Sequence, residues 1–222
     1  STAAPERSSG EPLSARDAGF AHRFFPGESD ATLLLLHGTG GSEDDLVPLG
    51  QQLAPKAAIL SPRGKVSEYG AARFFRRLAE GVFDHEDLVF RTHELAEFIE
   101  AASDEYGFDL GRLVAVGYSN GANIAASLML LHPGLLRAAV LFRAMVPFEP
   151  EEVPDLSGMP VFLAAGRRDQ MIPPQNTQRL VEILTEAAAD LDVRWRDTGH
   201  GLTYEEVAEA KEWLSRVLAK LS

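Results

Sequence analysis

The chain has 222 residues, of which 45% are hydrophobic and 24% charged, a balance that supports a sizeable buried core and argues against disorder over most of its length. It contains no cysteine, which removes disulfide frameworks, thiolate zinc sites, iron–sulfur clusters and cysteine nucleophiles. A formal net charge of -12 repels phosphate backbones and anionic membrane faces, so no nucleic-acid partner is expected.

Residues 1–18 read as a flexible tail, because STAAPERSSGEP is polar and turn-forming and lacks the apolar core of a signal peptide. A cytoplasmic location is expected, although the chain begins at Ser1 without Met and a removed leader stays open. Residues 19–222 read as a single domain in which strands and helices alternate without repeats. Predicted strands, in order, are Phe20–Phe25, Thr32–Leu36, Ala57–Leu60, Leu113–Val116, Ala138–Phe142, Val161–Ala165 and Val193–Arg196. Most are apolar on both faces, the pattern of central, parallel strands. Predicted helices are Glu43–Leu53, Asp87–Tyr106, Asn120–His132, Pro174–Ala189 and Tyr204–Leu221, with Ser42 or Pro173-Pro174 as start signals and Gly107 as a stop. This alternation implies an α/β fold of three layers around a mostly parallel, doubly wound sheet. No apolar run approaches the roughly 20 residues that span a bilayer, so no integral membrane insertion is expected.

In doubly wound folds ligands bind at the carboxyl ends of the strands. After Leu113–Val116 comes Gly117-Tyr118-Ser119-Asn120-Gly121, which fits G-x-S-x-G between a strand and a helix and presents Ser119 on a strained turn. A serine hydroxyl needs a base to take its proton, and the base needs an acid to orient it. The last two strands end in loops that supply them, with Asp169 after Val161–Ala165 and His200 after Val193–Arg196. Asp197 is the competing acid, but it directly precedes the histidine loop and would have to fold back. After Thr32–Leu36 the run His37-Gly38-Thr39-Gly40-Gly41 offers an oxyanion loop, so the backbone N–H groups of Thr39 and Asn120 are the expected oxyanion donors. His37 is read as structural.

These residues resemble the compact carboxylesterase/phospholipase branch of the α/β-hydrolases, which is also similar to acyl-protein thioesterases and dienelactone hydrolases. The resemblance spans about Phe20 to Leu221 and rests on HGTGGSEDDL at 37–46, SPRG at 61–64, RFFRRLAEGVFD at 73–84, GYSNGA at 117–122, the Asp169 loop and GHGL at 199–202. Where dienelactone hydrolases use cysteine, this chain has Ser119. The resemblance implies an α/β-hydrolase fold without a large cap domain. The implied enzyme is a serine carboxylesterase that cleaves short to medium acyl or aryl esters through an acyl-enzyme, without a cofactor. Acyl thioesterase or lysophospholipase activity on the same triad is the nearby alternative. A non-catalytic ligand-binding protein of the same fold is the alternative from another class. The expected partner is a small-molecule ester, with a homodimer left open.

Other motifs fail on spacing. Asp84-His85-Glu86-Asp87 has metal-binding side chains but no second cluster, and reads as a helix cap with acidic first-turn residues. GTGGSE at 38–43 ends in Glu43 where a dinucleotide fingerprint needs glycine, and no Walker glycine sits at Ile59 before Gly64-Lys65. His93-Glu94 is followed by Glu97 where a zinc-protease helix has its second histidine, so no metal is expected. The segment Pro62–Arg91 is too long for a plain connection and is expected to overhang the site. Phe74 and Phe75 from it, with Met145, Val146, Phe148 and Ile172 from later loops, are the expected pocket wall.

Overall fold

The computed structural model describes residues 19–221, so the predicted tail lies outside the described residues. The strands of the main sheet are β1 (His22–Phe25), β2 (Thr32–Leu36), β3 (Ala58–Pro62), β8 (Leu113–Tyr118), β9 (Ala138–Phe142), β10 (Pro160–Gly166) and β11 (Asp190–Arg196). They run in the order β1-β3-β2-β8-β9-β10-β11. All neighbours are parallel except β1, which pairs antiparallel with β3. Successive residues of a strand face opposite sides, so Leu34 and Leu36 enter one core while Leu33 and Leu35 enter the other. All four are fully buried, which requires helices on both faces.

Helices α2 (His85–Tyr106), α3 (Asn120–Leu131) and α4 (Pro174–Glu186) cover the first face, and α1 (Val47–Leu53) and α5 (Tyr204–Lys220) cover the second. The Asp84 quartet behaves as a cap: the Asp84 carboxylate accepts the Asp87 N–H, and Glu86 and Asp87 sit in the first turn of α2, where the helix dipole favours negative charge. Gly107 ends α2 at φ 76°, the left-handed conformation that glycine adopts without strain. Among the described residues no helix is long and apolar enough to cross a membrane.

Two expectations are corrected, and the long segment after β3 gains its structure. The first strand starts at His22 and is an antiparallel edge, not a central parallel strand. The first helix starts at Val47, because residues 42–47 close turns (Asp45 N–H to Ser42 O, Val47 N–H to Asp44 O) ahead of Pro48 in the first helical turn. Pro62–Arg91 contains two hairpins, β4 (Val66–Glu68) with β5 (Ala71–Arg73) and β6 (Arg77–Ala79) with β7 (Val82–Phe83). Tyr69 and Gly70 both have positive φ, 52° and 86°, the backbone of a type I′ two-residue turn.

Candidate active site

Ser119 occupies the turn from β8 to α3 with φ 54° and ψ -115°, a conformation that L residues rarely adopt. The chain passes so close to its neighbours here that a Cβ on Gly121 would lie 1.9 Å from the Leu36 carbonyl oxygen, and one on Gly117 would lie 2.7 Å from the Ala122 backbone. The two glycines therefore let the serine turn pack under the end of β2. The Ser119 side chain does not cap α3; it is hydrogen-bonded to His200 instead.

The Ser119 Oγ is 2.9 Å from His200 Nε2, and His200 Nδ1 is 2.7 Å from Asp169 Oδ2. With the proton on Nδ1, that nitrogen donates to the carboxylate and Nε2 accepts the serine O–H, which satisfies both contacts. The other Asp169 oxygen accepts the N–H groups of Met171 at 2.8 Å and Ile172 at 3.2 Å. The carboxylate is thus fixed from both sides, in a side chain only 2% exposed. Asp197 lies elsewhere: its side chain is 76% exposed and pairs with Arg168 at 3.0 Å.

The histidine loop is held from beneath by a residue that sequence reasoning missed. Arg143, directly after β9, has a side chain with no solvent exposure and forms an ion pair with the equally buried Glu206 at 2.9 Å. Its Nε donates to Gly199 O at 3.0 Å and its Nη2 to Gly201 O at 2.8 Å, the carbonyls on either side of His200. Glu206 also accepts the Thr203 N–H, closing the capping box that starts α5. Tyr118 adds a third restraint by donating its hydroxyl to His200 O at 3.0 Å. The available signal was a lone arginine inside the apolar run AAVLFRAMVPF; its positive φ of 59° is not written in the sequence.

Thr39 follows β2 in a loop pinned by Gly40 N–H to Ala72 O and Gly41 N–H to Gly38 O. The Thr39 N–H has no acceptor among the described residues. Asn120 is the first residue of α3, so its N–H belongs to the four that a helix cannot satisfy internally. His37 is buried beneath this loop: its Nδ1 contacts Gly38 O at 2.7 Å while its Nε2 accepts the Gly64 N–H at 3.0 Å. Burial holds its pKa below the ordinary imidazole value despite the Gly38 contact, which keeps Nε2 free to accept.

A cleft of about 370 Å³ opens over Ser119 and His200, with Met145 and Ile172 on its wall. Phe74, Phe75, Val146 and Phe148 are not among its lining residues. Phe74 and Phe75 are buried in the core, Phe74 against the His37 ring at 4.6 Å and Phe75 edge-on to Phe83 at 4.9 Å. Phe148 packs on His85, and Val146 packs partly buried against the same core. Instead, the hairpins that overhang the site contribute Arg73, Arg77, Glu80 and Phe83. The wall on that side is thus more polar than the sequence suggested. Asn123 was also missed; its Oδ1 accepts the Met145 N–H at 2.7 Å and sets the opposite wall.

A mostly parallel sheet that carries a serine on a strained strand-to-helix turn, with a carboxylate and an imidazole brought to it by the last two strand ends, defines an α/β-hydrolase. The phospholipase/carboxylesterase family model matches residues 76–218. MhqD of Bacillus subtilis (strain 168), which carries a provisional hydrolase name, is 47% identical over 197 residues, 89% of this chain and 98% of that protein. The crystal structure of the Bacillus cereus carboxylesterase aligns with a TM-score of 0.89 at 47% identity, covering 91% of this chain and 96% of that one. A carboxylesterase from Mesorhizobium loti aligns at 0.84 and 34% identity, covering 88% and 94%. The chain belongs to the phospholipase/carboxylesterase family and is a hydrolase of the esterase type.

Proposed function

We propose that the protein is a serine carboxylesterase acting on small esters, with Ser119 as nucleophile, His200 as general base and acid, and Asp169 as the group that orients the imidazole. The observation that carries this reading is the hydrogen-bonded chain from Ser119 Oγ through His200 to Asp169 at the floor of an open cleft. As Ser119 Oγ bonds to the ester carbonyl carbon, its proton passes to His200 Nε2, and the carbonyl oxygen takes up the charge. The N–H groups of Thr39 and Asn120, at the positive end of α3, stabilise that oxyanion. When the tetrahedral intermediate collapses, His200 returns the proton to the departing alcohol. Water then repeats the sequence on the acyl-enzyme: His200 takes its proton, the acid leaves and Ser119 regains its hydrogen.

The cleft volume lies near the lower end of the range for small-molecule sites, about 300 to 1,000 Å³, which favours short and medium acyl chains. Each buried methylene contributes about 0.8 kcal/mol, so kcat/KM should climb over the first few acyl carbons and then level off as the chain leaves the cleft. A p-nitrophenyl ester series from acetate to palmitate tests this. A maximum at palmitate with stimulation by lipid interfaces would point to a lipase; faster turnover of matched acyl thioesters would point to a thioesterase.

A further inference from the structure

We propose that the cleft contains an anion subsite built on Arg73, and that the preferred substrates are small esters bearing a carboxylate near the scissile carbonyl, such as hemiesters of dicarboxylic acids. The proposal rests on the hydrolase reading and names its substrate class. Arg73, at the end of β5, is a cation on the cleft wall whose side chain is only 3% exposed. Its Nε donates to Phe75 O at 3.0 Å and its Nη1 to Thr39 Oγ1 at 2.6 Å, both neutral acceptors. Its Nη2 makes no hydrogen bond among the described residues, and the guanidinium carbon lies 5.4 Å from the centre of the Phe75 ring.

A buried guanidinium normally has a carboxylate against it. The acid facing Arg73 is Glu68, whose Oε2 is 4.0 Å from Nε. Glu68 is already gripped by Arg77, with Nη2 to Oε1 at 2.7 Å and Nε to Oε2 at 3.0 Å. One carboxylate therefore serves two cations. Glu80 also lines the cleft, but it is an exposed residue of the β6–β7 turn, where solvent screens it. Burial, with a contribution from the Arg77 charge, pushes the Arg73 pKa down to about 10, so the group stays charged at neutral pH.

A second unclaimed donor sits on the same wall. Asn120 is buried and its Oδ1 accepts the Phe74 N–H at 2.7 Å, while its Nδ2 has no hydrogen-bond partner among the described residues. A cation with an unbonded edge and a buried amide with an unbonded N–H, both on residues that line one cleft, complement an anionic oxygen group; the planar guanidinium edge suits a carboxylate. Because Arg73 holds the side chain of Thr39, whose N–H is the assigned oxyanion donor, the subsite lies one side chain from the reacting carbonyl.

The test compares monoethyl succinate with ethyl 4-methylpentanoate, in which methyl groups replace the carboxylate oxygens, by ethanol release under initial-rate conditions. A charge-assisted hydrogen bond contributes enough for at least about tenfold discrimination. We expect the wild-type kcat/KM ratio to favour the hemiester by that factor. Arg73→Met should reduce the ratio at least about tenfold, and Arg73→Lys, which keeps the charge but not the fork, should fall between. A wild-type ratio at or below one, or a ratio unchanged in Arg73→Met, overturns the subsite and leaves Arg73 as a pin between hairpin and oxyanion loop. Either result leaves the hydrolase reading standing so long as the neutral ester is cleaved. Failure to cleave either ester, with no fluorophosphonate labelling of Ser119, would overturn both.

Discussion

Arg143→Met separates the stability of this fold from the placement of its imidazole. The substitution strands the fully buried Glu206 carboxylate and removes the donor from the Gly199 and Gly201 carbonyls. Breaking a buried pair by deleting one partner costs about 3–5 kcal/mol. At roughly 2–4 °C per kcal/mol for a chain of this size, Tm should fall by about 6–20 °C. A loop relaxation that shifts His200 by about 1 Å should lower kcat by roughly 10²-fold. The double variant Arg143→Met/Glu206→Gln leaves no stranded charge, and glutamine can still accept the Thr203 N–H as the capping box requires. It should regain most of the lost Tm but little of the lost kcat, because both glycine carbonyls still lack their donor. Calorimetry with p-nitrophenyl butyrate kinetics on the three proteins measures both quantities. If kcat recovered together with Tm, Arg143 would act through stability alone and the positioning argument would fail.

Asp169→Asn should lower kcat by about 10³–10⁴ by favouring the wrong imidazole tautomer, whereas Asp197→Asn, which removes only an exposed pair with Arg168, should change it little; the opposite ranking would move the orienting role to Asp197. Gly121→Ala places a methyl 1.9 Å from the Leu36 carbonyl and should destabilise the protein severely, so an unchanged thermal midpoint would contradict the close-approach argument. His37 has a folded pKa lowered from the reference 6.5 by burial, so the unfolded chain binds the proton more readily. The stability linked to His37 is complete above pH 6.5 and is lost as pH falls below it. His132, lowered by burial and by His93, adds to the same slope. Tm scans across this range should show that loss, and His37→Gln should show a shallower one.

The sheet was readable because its strands are continuous apolar runs punctuated by turn residues, and a parallel sheet covered on both faces requires that pattern. The positions of Ser119, Asp169 and His200 were readable because each falls just after such a run. Antiparallel pairing of β1 was not, since a short strand carries no mark of its partner's direction. The hairpins escaped because strands of two or three residues show almost no periodicity; the glycines Gly70 and Gly81, both at positive φ, mark their turns. Their omission also misled the pocket reading. Phe74 and Phe75 are adjacent aromatics, but the hairpin turns both into the core and leaves Arg73 and Arg77 on the cleft. The Arg143–Glu206 pair joins residues 63 apart in sequence, and no local pattern records such a contact.

The central claim is that Ser119 is an activated nucleophile, and covalent labelling tests it most directly. Treating the folded protein with a fluorophosphonate and mapping the adduct by peptide mass spectrometry should place one phosphonyl group on Ser119, with ester turnover lost in proportion to labelling. Ser119→Ala should fold, take up no label and lose roughly 10⁶ in kcat, as expected when one member of a cooperating triad is removed. An adduct on another residue, or a folded Ser119→Ala protein that still hydrolyses esters near the wild-type rate, would contradict the account.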